Sequence, residues 1–256
     1  MKLHCLGTAG YHPSPTRHTS AYLIPECNLL LDAGSGVFRL AGLVQSPELS
    51  VLLSHTHLDH VMGLTFFWDL ITCTPLERVH VYGPRQKLED LRQHLFHPSL
   101  FPALPPLEWH PLEEHADGLK MEGIECRWFP LEHPGGCMGY RLELPGASLA
   151  YVTDTTSRPD SEYWNAIQGV DWLLHECNFL DSERTLAERT GHSWTSAVLE
   201  NAYQHGIQRL VLTHFNPLRE DNDPVGLAES TAKLGNRTPQ QIHLANDSTI
   251  IDLSRL

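Results

Sequence analysis

Within the stretch LLSHTHLDHVMG, residues 52–63, three histidines and one aspartate fall in six positions directly behind an apolar run. Imidazole nitrogens and carboxylate oxygens are donors to divalent cations, and packing alone rarely crowds them together in this way. His55 and His57 stand two apart, so in an extended segment both rings project to the same side and can clasp one ion. Asp59 and His60 follow where DHVMGL turns into a helix, and the bend carries them across the same cavity, suited to a second ion. Four donors are too few for two metals. Further donors stand at the ends of other apolar runs: His133 after CRWFPLE, Asp154 after LAYVT and His214 after RLVLT. Any one of them, alone, reads as a satisfied core or surface residue. Beside an H-x-H-x-D-H cluster that bland reading is poor, because loops following strands can converge on one edge of a sandwich.

The elements that must position these residues are legible as periodicity. KLHCLGT alternates as a strand, SAYLIPE and NLLLDAG form a hairpin pair, and LSVLLS is a fully apolar strand. VMGLTFFWDLITC has helical spacing, VHVYGP ends a strand at Gly-Pro, and RQKLEDLRQHLF is an amphipathic helix. The segment 97–115, with five prolines, reads as an extended loop that serves as a lid or rim. IECRWFPLEH, GYRLELP, SLAYVTDTT and VDWLLHECNF give four more strands, followed by the helix SWTSAVLENAYQHG and the strands RLVLTHF and STIIDL. Periodicity alone supports α/β or α+β. Two β-rich halves, each followed by helices, point further to a four-layer αββα sandwich filling one domain, residues 1–256.

Composition narrows the class. Hydrophobic residues at 41% describe an ordinary globular interior, and no run approaches the ~18 apolar residues of a membrane span. The N-terminus MKLHCLGTAGYHP lacks the apolar core of a signal peptide, so the cytoplasm is the expected compartment. Six scattered cysteines without a C-x-x-C pair read as reduced, buried thiols rather than a disulfide framework or a thiolate zinc knuckle. A net charge of −13 opposes non-specific attraction to a long RNA, although a local basic pocket stays open.

SHTHLDH resembles the signature of the metallo-β-lactamase-fold hydrolases, and the resemblance extends over nearly the whole chain. More particular likenesses point to the ribonuclease Z-like branch: LGTAGYHPSPTRHTSAYLI, EHPGGCMGYRLEL, YVTDTT, LLHECNF, GHSWTSA and RLVLTHFNP. The resemblance implies two divalent ions, one held by His55, His57 and His133, the other by Asp59, His60 and His214, with Asp154 bridging. Imidazole-rich, thiolate-free donors suit zinc first and tolerate manganese or iron. Asp32 in LLLDAG stands where the superfamily keeps a buried aspartate behind the ligand loop. His192 of GHS and Glu176 of HE correspond to a non-ligand pair near the scissile phosphodiester, so His192, Glu176 and Asp59 are the expected catalytic residues. A plainer reading makes Ser193 a helix N-cap with His192 merely beside it. His175 should face the opposite side of its strand and is read as structural. Cys137 and Cys177 are read as packing, and His94, His97, His110 and His115 as rim or surface residues. His4 and His12 lack strand-end placement, as does His18, which is placed near the site.

The likeness also has a gap. Ribonuclease Z enzymes carry a long tRNA-gripping arm between the bridging aspartate and the acidic motif, whereas 21 residues separate Asp154 from Glu176 here. A small phosphodiester or cyclic phosphate is therefore the expected substrate, and tRNA is disfavoured. A metal-activated hydroxide would attack phosphorus while His192 protonates the leaving oxygen and Glu176 fixes its tautomer. Arg17, Arg141 and Arg158 are the nearest motif-associated candidates to hold a non-reacting phosphate oxygen, with none of them singled out by the sequence. The rivals are a same-fold hydrolase of a thioester, lactone or sulfate ester and, in another class, a non-catalytic dimetal sensor or redox protein. The resemblance makes a homodimer an expectation, with GLTFFWDLITC aromatic enough to be a face, although a buried core helix is the preferred reading of that segment.

Overall fold

Runs of mostly apolar residues such as Leu29–Leu31 and Ala147–Val152 are buried on both faces, as strands inside a doubly covered sheet must be. The computed structural model describes residues 1–121, 123–219 and 222–254; the last two residues of the expected domain, 255–256, lie outside them. The first sheet comprises Lys2–Gly7 (β1), Ala21–Ile24 (β2), Leu29–Leu31 (β3), Glu48–Leu52 (β4), Arg78–Gly83 (β5), Leu107–Pro111 (β6) and the late strand Ile250–Asp252 (β14). Its order is β14-β1-β2-β3-β4-β5-β6, with β3 to β6 parallel. The second comprises Leu119–Met121 (β7), Ile124–Leu131 (β8), Cys137–Leu144 (β9), Ala147–Val152 (β10), Trp172–Glu176 (β11), Arg209–Thr213 (β12) and Gln241–Leu244 (β13). It runs from β13 to β7 in descending order, with β10 to β13 parallel.

Three apolar clusters define four layers. Leu3, Tyr22, Leu31 and Leu52 meet Leu142, Tyr151, Leu174 and Val211 between the sheets. Outside the first sheet, Val61 of Leu58–Val61 (α1) and Phe67 and Leu70 of Phe67–Cys73 (α2) pack with Leu88 of Arg85–Asp90 (α3). Outside the second lie Trp164 of Tyr163–Ala166 (α4), Val198 and Leu199 of Thr195–Gln204 (α6) and Leu234 of Leu227–Leu234 (α7). A short helix, Arg184–Thr190 (α5), seats Ala187 against Phe179 and Trp194. This is the expected αββα sandwich.

Two local expectations change, both in the segment 97–115. The proline-rich segment contains β6, which pairs in parallel with β5; as an edge strand it tolerates the proline at its end. None of its residues lines the cavity described below, so it is not a lid over that site. GLTFFWDLITC is a core element through Leu64, Phe67 and Leu70, although Trp68 is exposed. No helix among the described residues is long and apolar enough to cross a membrane.

Candidate metal centre

Each expected donor lies just beyond the carboxyl end of a strand, where parallel sheets leave a crevice. His55 to His60 follow β4, Asp154 follows β10, His214 follows β12, and His133 lies in the turn from β8 to β9. Asp154 and His214 adopt left-handed backbone conformations, φ 41° and 58°, as does Asp32 at φ 54°. Such conformations cost an L-residue about 1–3 kcal/mol each and persist where surrounding contacts over-determine them.

The structure brings all seven donors together. His60 Nε2 lies 3.2 Å from His214 Nε2 and 3.4 Å from Asp59 Oδ2, and His214 Nε2 lies 3.3 Å from Asp59 Oδ2. Asp154 Oδ1 is 3.3 Å from both imidazole nitrogens. Ligands about 2.0–2.1 Å from a tetrahedral zinc ion stand ~3.3 Å from one another, so these are the edges of a zinc-sized cage. The other carboxylate oxygen, Asp154 Oδ2, lies 3.6 Å from His55 Nε2 and 3.6 Å from His133 Nε2, and His133 Nε2 is 3.4 Å from His57 Nδ1. Asp154 thus offers one oxygen to each group. His55 Nε2 is buried without a hydrogen-bond partner and aims into its group, an unmet acceptor that a cation would satisfy.

Supporting contacts choose which nitrogen each ring presents. Asp32 is fully buried and its Oδ2 accepts hydrogen bonds from His60 Nδ1 at 2.7 Å, Ser54 Oγ at 2.7 Å and Tyr151 Oη at 2.6 Å. That leaves His60 Nε2 for the cage. His133 Nδ1 donates to the Gly191 carbonyl at 3.0 Å, which frees its Nε2. Gly191 caps α5 at φ 75°, and a Cβ there would stand 2.6 Å from Pro134. A Cβ on Gly10 would likewise come within 2.4 Å of the His214 ring.

Charge in the centre is matched to cations. Burial holds His55, His57 and His133 below the ordinary imidazole value and so favours their neutral, donor form. Burial also opposes charge on His60, but Asp154, Asp59 and Asp32 reverse this and hold it well above the ordinary value. Three carboxylates therefore hold a positive charge in place, the role a metal ion takes when bound.

Beside this centre stands His192. Its Nδ1 lies 3.1 Å from Glu176 Oε1, and its ring sits 5.1 Å from His133 and 5.5 Å from His214. Glu176 is fully buried; its Oε1 also accepts from the Thr155 and Ser193 amides at 3.1 and 3.0 Å, and its Oε2 from the Asn178 amide at 3.2 Å. Burial pulls the His192 ionisation down, but the charge and hydrogen bond of Glu176 lift it to about 9. Ser193 is not the N-cap of α6, a position held by Trp194; its Oγ donates to the Thr155 carbonyl and accepts from the Ser157 amide. His175 faces away, its Nε2 3.0 Å from Tyr163 Oη.

A cavity of about 790 Å³ opens over the donors. Tyr11, Leu58, Phe179, Leu186 and Leu218 give it apolar walls, and among the described residues no lysine or arginine lines it. The three proposed phosphate anchors are engaged elsewhere: Arg17 is buried against Thr8, Ala245 and Asn246, Arg141 bonds Glu143 and Gln168, and Arg158 pairs with Glu132. Adjacency to a motif did not orient these side chains toward it. His18 is held by Ser35 and packs at a tilt against the Phe38 ring rather than reaching the donors. Two contributors went unread in the sequence: Tyr11, at φ 67°, whose amide donates to Asp59 Oδ2 at 2.7 Å, and Asn178, whose side chain holds the His214 carbonyl at 3.0 Å. Neither carries a local sequence signal.

Known proteins share this arrangement of the chain. The model of the Beta-lactamase superfamily domain matches residues 27–215. The ribonuclease Z of Kineococcus radiotolerans is 24% identical, over 98% of this chain and 94% of its own. The human tRNase Z, short form, superposes with a TM-score of 0.76 at 22% identity over 100% of both chains. A diphosphatase from the PhnP family does so with a TM-score of 0.71 at 20% identity, over 98% of this chain and 96% of its own. The chain belongs to the beta-lactamase superfamily and is a metallo-β-lactamase-fold hydrolase of the ribonuclease Z-like branch.

Proposed function

We propose that the protein is a phosphodiesterase acting on a small phosphodiester or cyclic phosphate, with His192 as general acid and Glu176 as its positioning partner. The observation that carries this reading is the His192–Glu176 pair, a protonatable imidazole held at 3.1 Å by a buried carboxylate and facing the same cavity as the metal donors. His55, His57, His133 and Asp154 would hold one divalent ion and Asp59, His60, His214 and Asp154 the other, zinc being the ion their chemistry suits first. When bound, two such ions lower the ionisation of water and neutralise charge on phosphorus-bound oxygens. The chain's own residues do the rest. Glu176 accepts from Nδ1–H of His192 and so leaves Nε2 to give its proton to the leaving oxygen. Asp32 and the Gly191 carbonyl keep the ligand rings from rotating.

Substrate size follows from the walls. A cavity of about 790 Å³ with apolar sides suits one organic group on the phosphodiester better than a polyanion. The span between Asp154 and Glu176 holds α4, turns and most of β11, and the net charge is −13, so a long RNA has little to hold. The cation-free lining also favours a second reading, hydrolysis of a neutral thioester or lactone. Hydrolysis of bis(p-nitrophenyl) phosphate by zinc- or manganese-loaded protein, beside His192→Ala with metal content measured in both, separates the two. A variant that keeps its metals and loses most activity supports the phosphodiesterase. Equal activity removes His192 from the chemistry and favours the neutral ester.

A further inference from the structure

A second cluster of donors stands on the first sheet, apart from the dinuclear centre. His80 on β5 pairs opposite Glu108 on β6, and His110, two residues on, projects from the same face of β6 opposite Tyr82. His80 Nδ1 lies 3.1 Å from His110 Nε2 and 3.3 Å from Glu108 Oε2, and His110 Nε2 lies 4.0 Å from Glu108 Oε2. None of the three lines the cavity over the dinuclear centre.

We propose that His80, Glu108 and His110 form a separate zinc site at the flank of the sandwich, with solvent completing the coordination. A tetrahedral zinc ion with bonds of about 2.0–2.1 Å needs its ligand atoms ~3.3 Å apart, and the three separations scatter around that value. An ion pair alone does not explain the contact between the two imidazoles. Two protonated rings would point N–H groups and positive charge at each other, so at least one nitrogen there is bare.

The surroundings are those of an oriented ligand set. His80 Nε2, the nitrogen pointing away from the cluster, lies 3.7 Å from Glu48 Oε2, within ion-pair range of that carboxylate. His110 is held flat by Tyr82, with ring centroids 4.8 Å apart and planes inclined by 22°. The side chains are partly exposed, so an ion can enter from solvent and keep water as a ligand.

The test is zinc content of the intact chain, equilibrated with buffered zinc and measured beside His110→Ala and Glu108→Gln. Wild type is expected to carry one zinc per chain more than His110→Ala, with hydrolytic activity unchanged. Glu108→Gln, nearly isosteric, should bind this last zinc at least tenfold more weakly, and it carries the test if His110→Ala fails to fold. Equal zinc content and equal affinity in wild type and the folded variants would overturn the site.

Discussion

Replacing Glu176 by glutamine tests the proton-donor reading at its root. The carboxylate holds four N–H groups, and the amide, of the same shape, can keep Oε1 for three of them while losing the bond at Oε2. Loss of that hydrogen bond and of the paired charge costs stability of about 1–3 kcal/mol, which a folded superfamily domain tolerates. The larger effect falls on His192. In the presence of Glu176 its value stands at about 9; without that charge the largest influence raising it is gone, while burial, which lowers it, remains, and the value falls. Every tenfold change in the His192 ionisation constant corresponds to about 1.4 kcal/mol between the two protonation states. The acid form is present below the ionisation and lost as pH rises through it, so the variant loses its donor at a lower pH than the wild type. Cations bound nearby lower both values, and the difference between wild type and variant is the quantity to read. The assay is kcat/KM for bis(p-nitrophenyl) phosphate from about pH 5.5 to 9.5, with metal content checked. The variant's alkaline limb should move to lower pH, with activity lost most at neutral to alkaline pH and recovered at low pH. An alkaline limb unmoved in a fully metallated variant would refute the role of the pair.

Asp32→Asn removes the acceptor that fixes His60, and zinc affinity should fall ~10–100-fold by competition with a chromogenic chelator. Gly191→Ala places a Cβ against Pro134 at a left-handed φ, and urea unfolding should show a loss of at least ~1–2 kcal/mol together with weaker zinc binding through His133. Stripping metal should lower the melting temperature by about 5–10 °C relative to protein at a hundredfold excess over Kd, where binding contributes ~2.7 kcal/mol. Arg158→Ala should leave kcat/KM within about twofold, because its partner is Glu132 and not the cavity; a larger loss would restore it as a phosphate anchor.

Much of the centre was legible because its information is local. Donors at i and i+2 in an extended loop share a side whatever the tertiary fold, and an apolar run before each remote donor marks the end of a buried strand. The same runs gave α/β or α+β, and the sandwich needed the order of the two β-rich halves and the family resemblance as well. What stayed hidden depends on backbone conformation and on distant neighbours. Nothing around Tyr11 announces a left-handed turn that aims its amide at Asp59, 48 residues away. β6 was masked by prolines that suit an edge strand, and with it the facing of His110 toward His80, because cross-strand register is not written in either strand alone. The arginines misled for the converse reason: next to a motif in sequence, each finds a stronger acceptor elsewhere in space.

Glu176 links two halves of the site that the sequence presents as separate motifs. Its Oε1 accepts from the amide of Thr155, the residue after the carboxylate shared between the two donor groups, and from His192 and Ser193 on the opposite loop. Ser193 closes the ring by donating to the Thr155 carbonyl. The loop carrying Asp154 and the loop carrying His192 are therefore positioned by one buried anion, and the backbone cost of the left-handed Asp154 is met where that anion gathers N–H groups. A consequence separates two kinds of variant. Truncating Glu176 to alanine strands those N–H groups and should displace Asp154, with metal lost along with activity. Truncating His192 leaves Thr155 and Ser193 bonded, so metal should stay while activity falls. Metal retained in the alanine variant of Glu176 would show that the two loops are set independently.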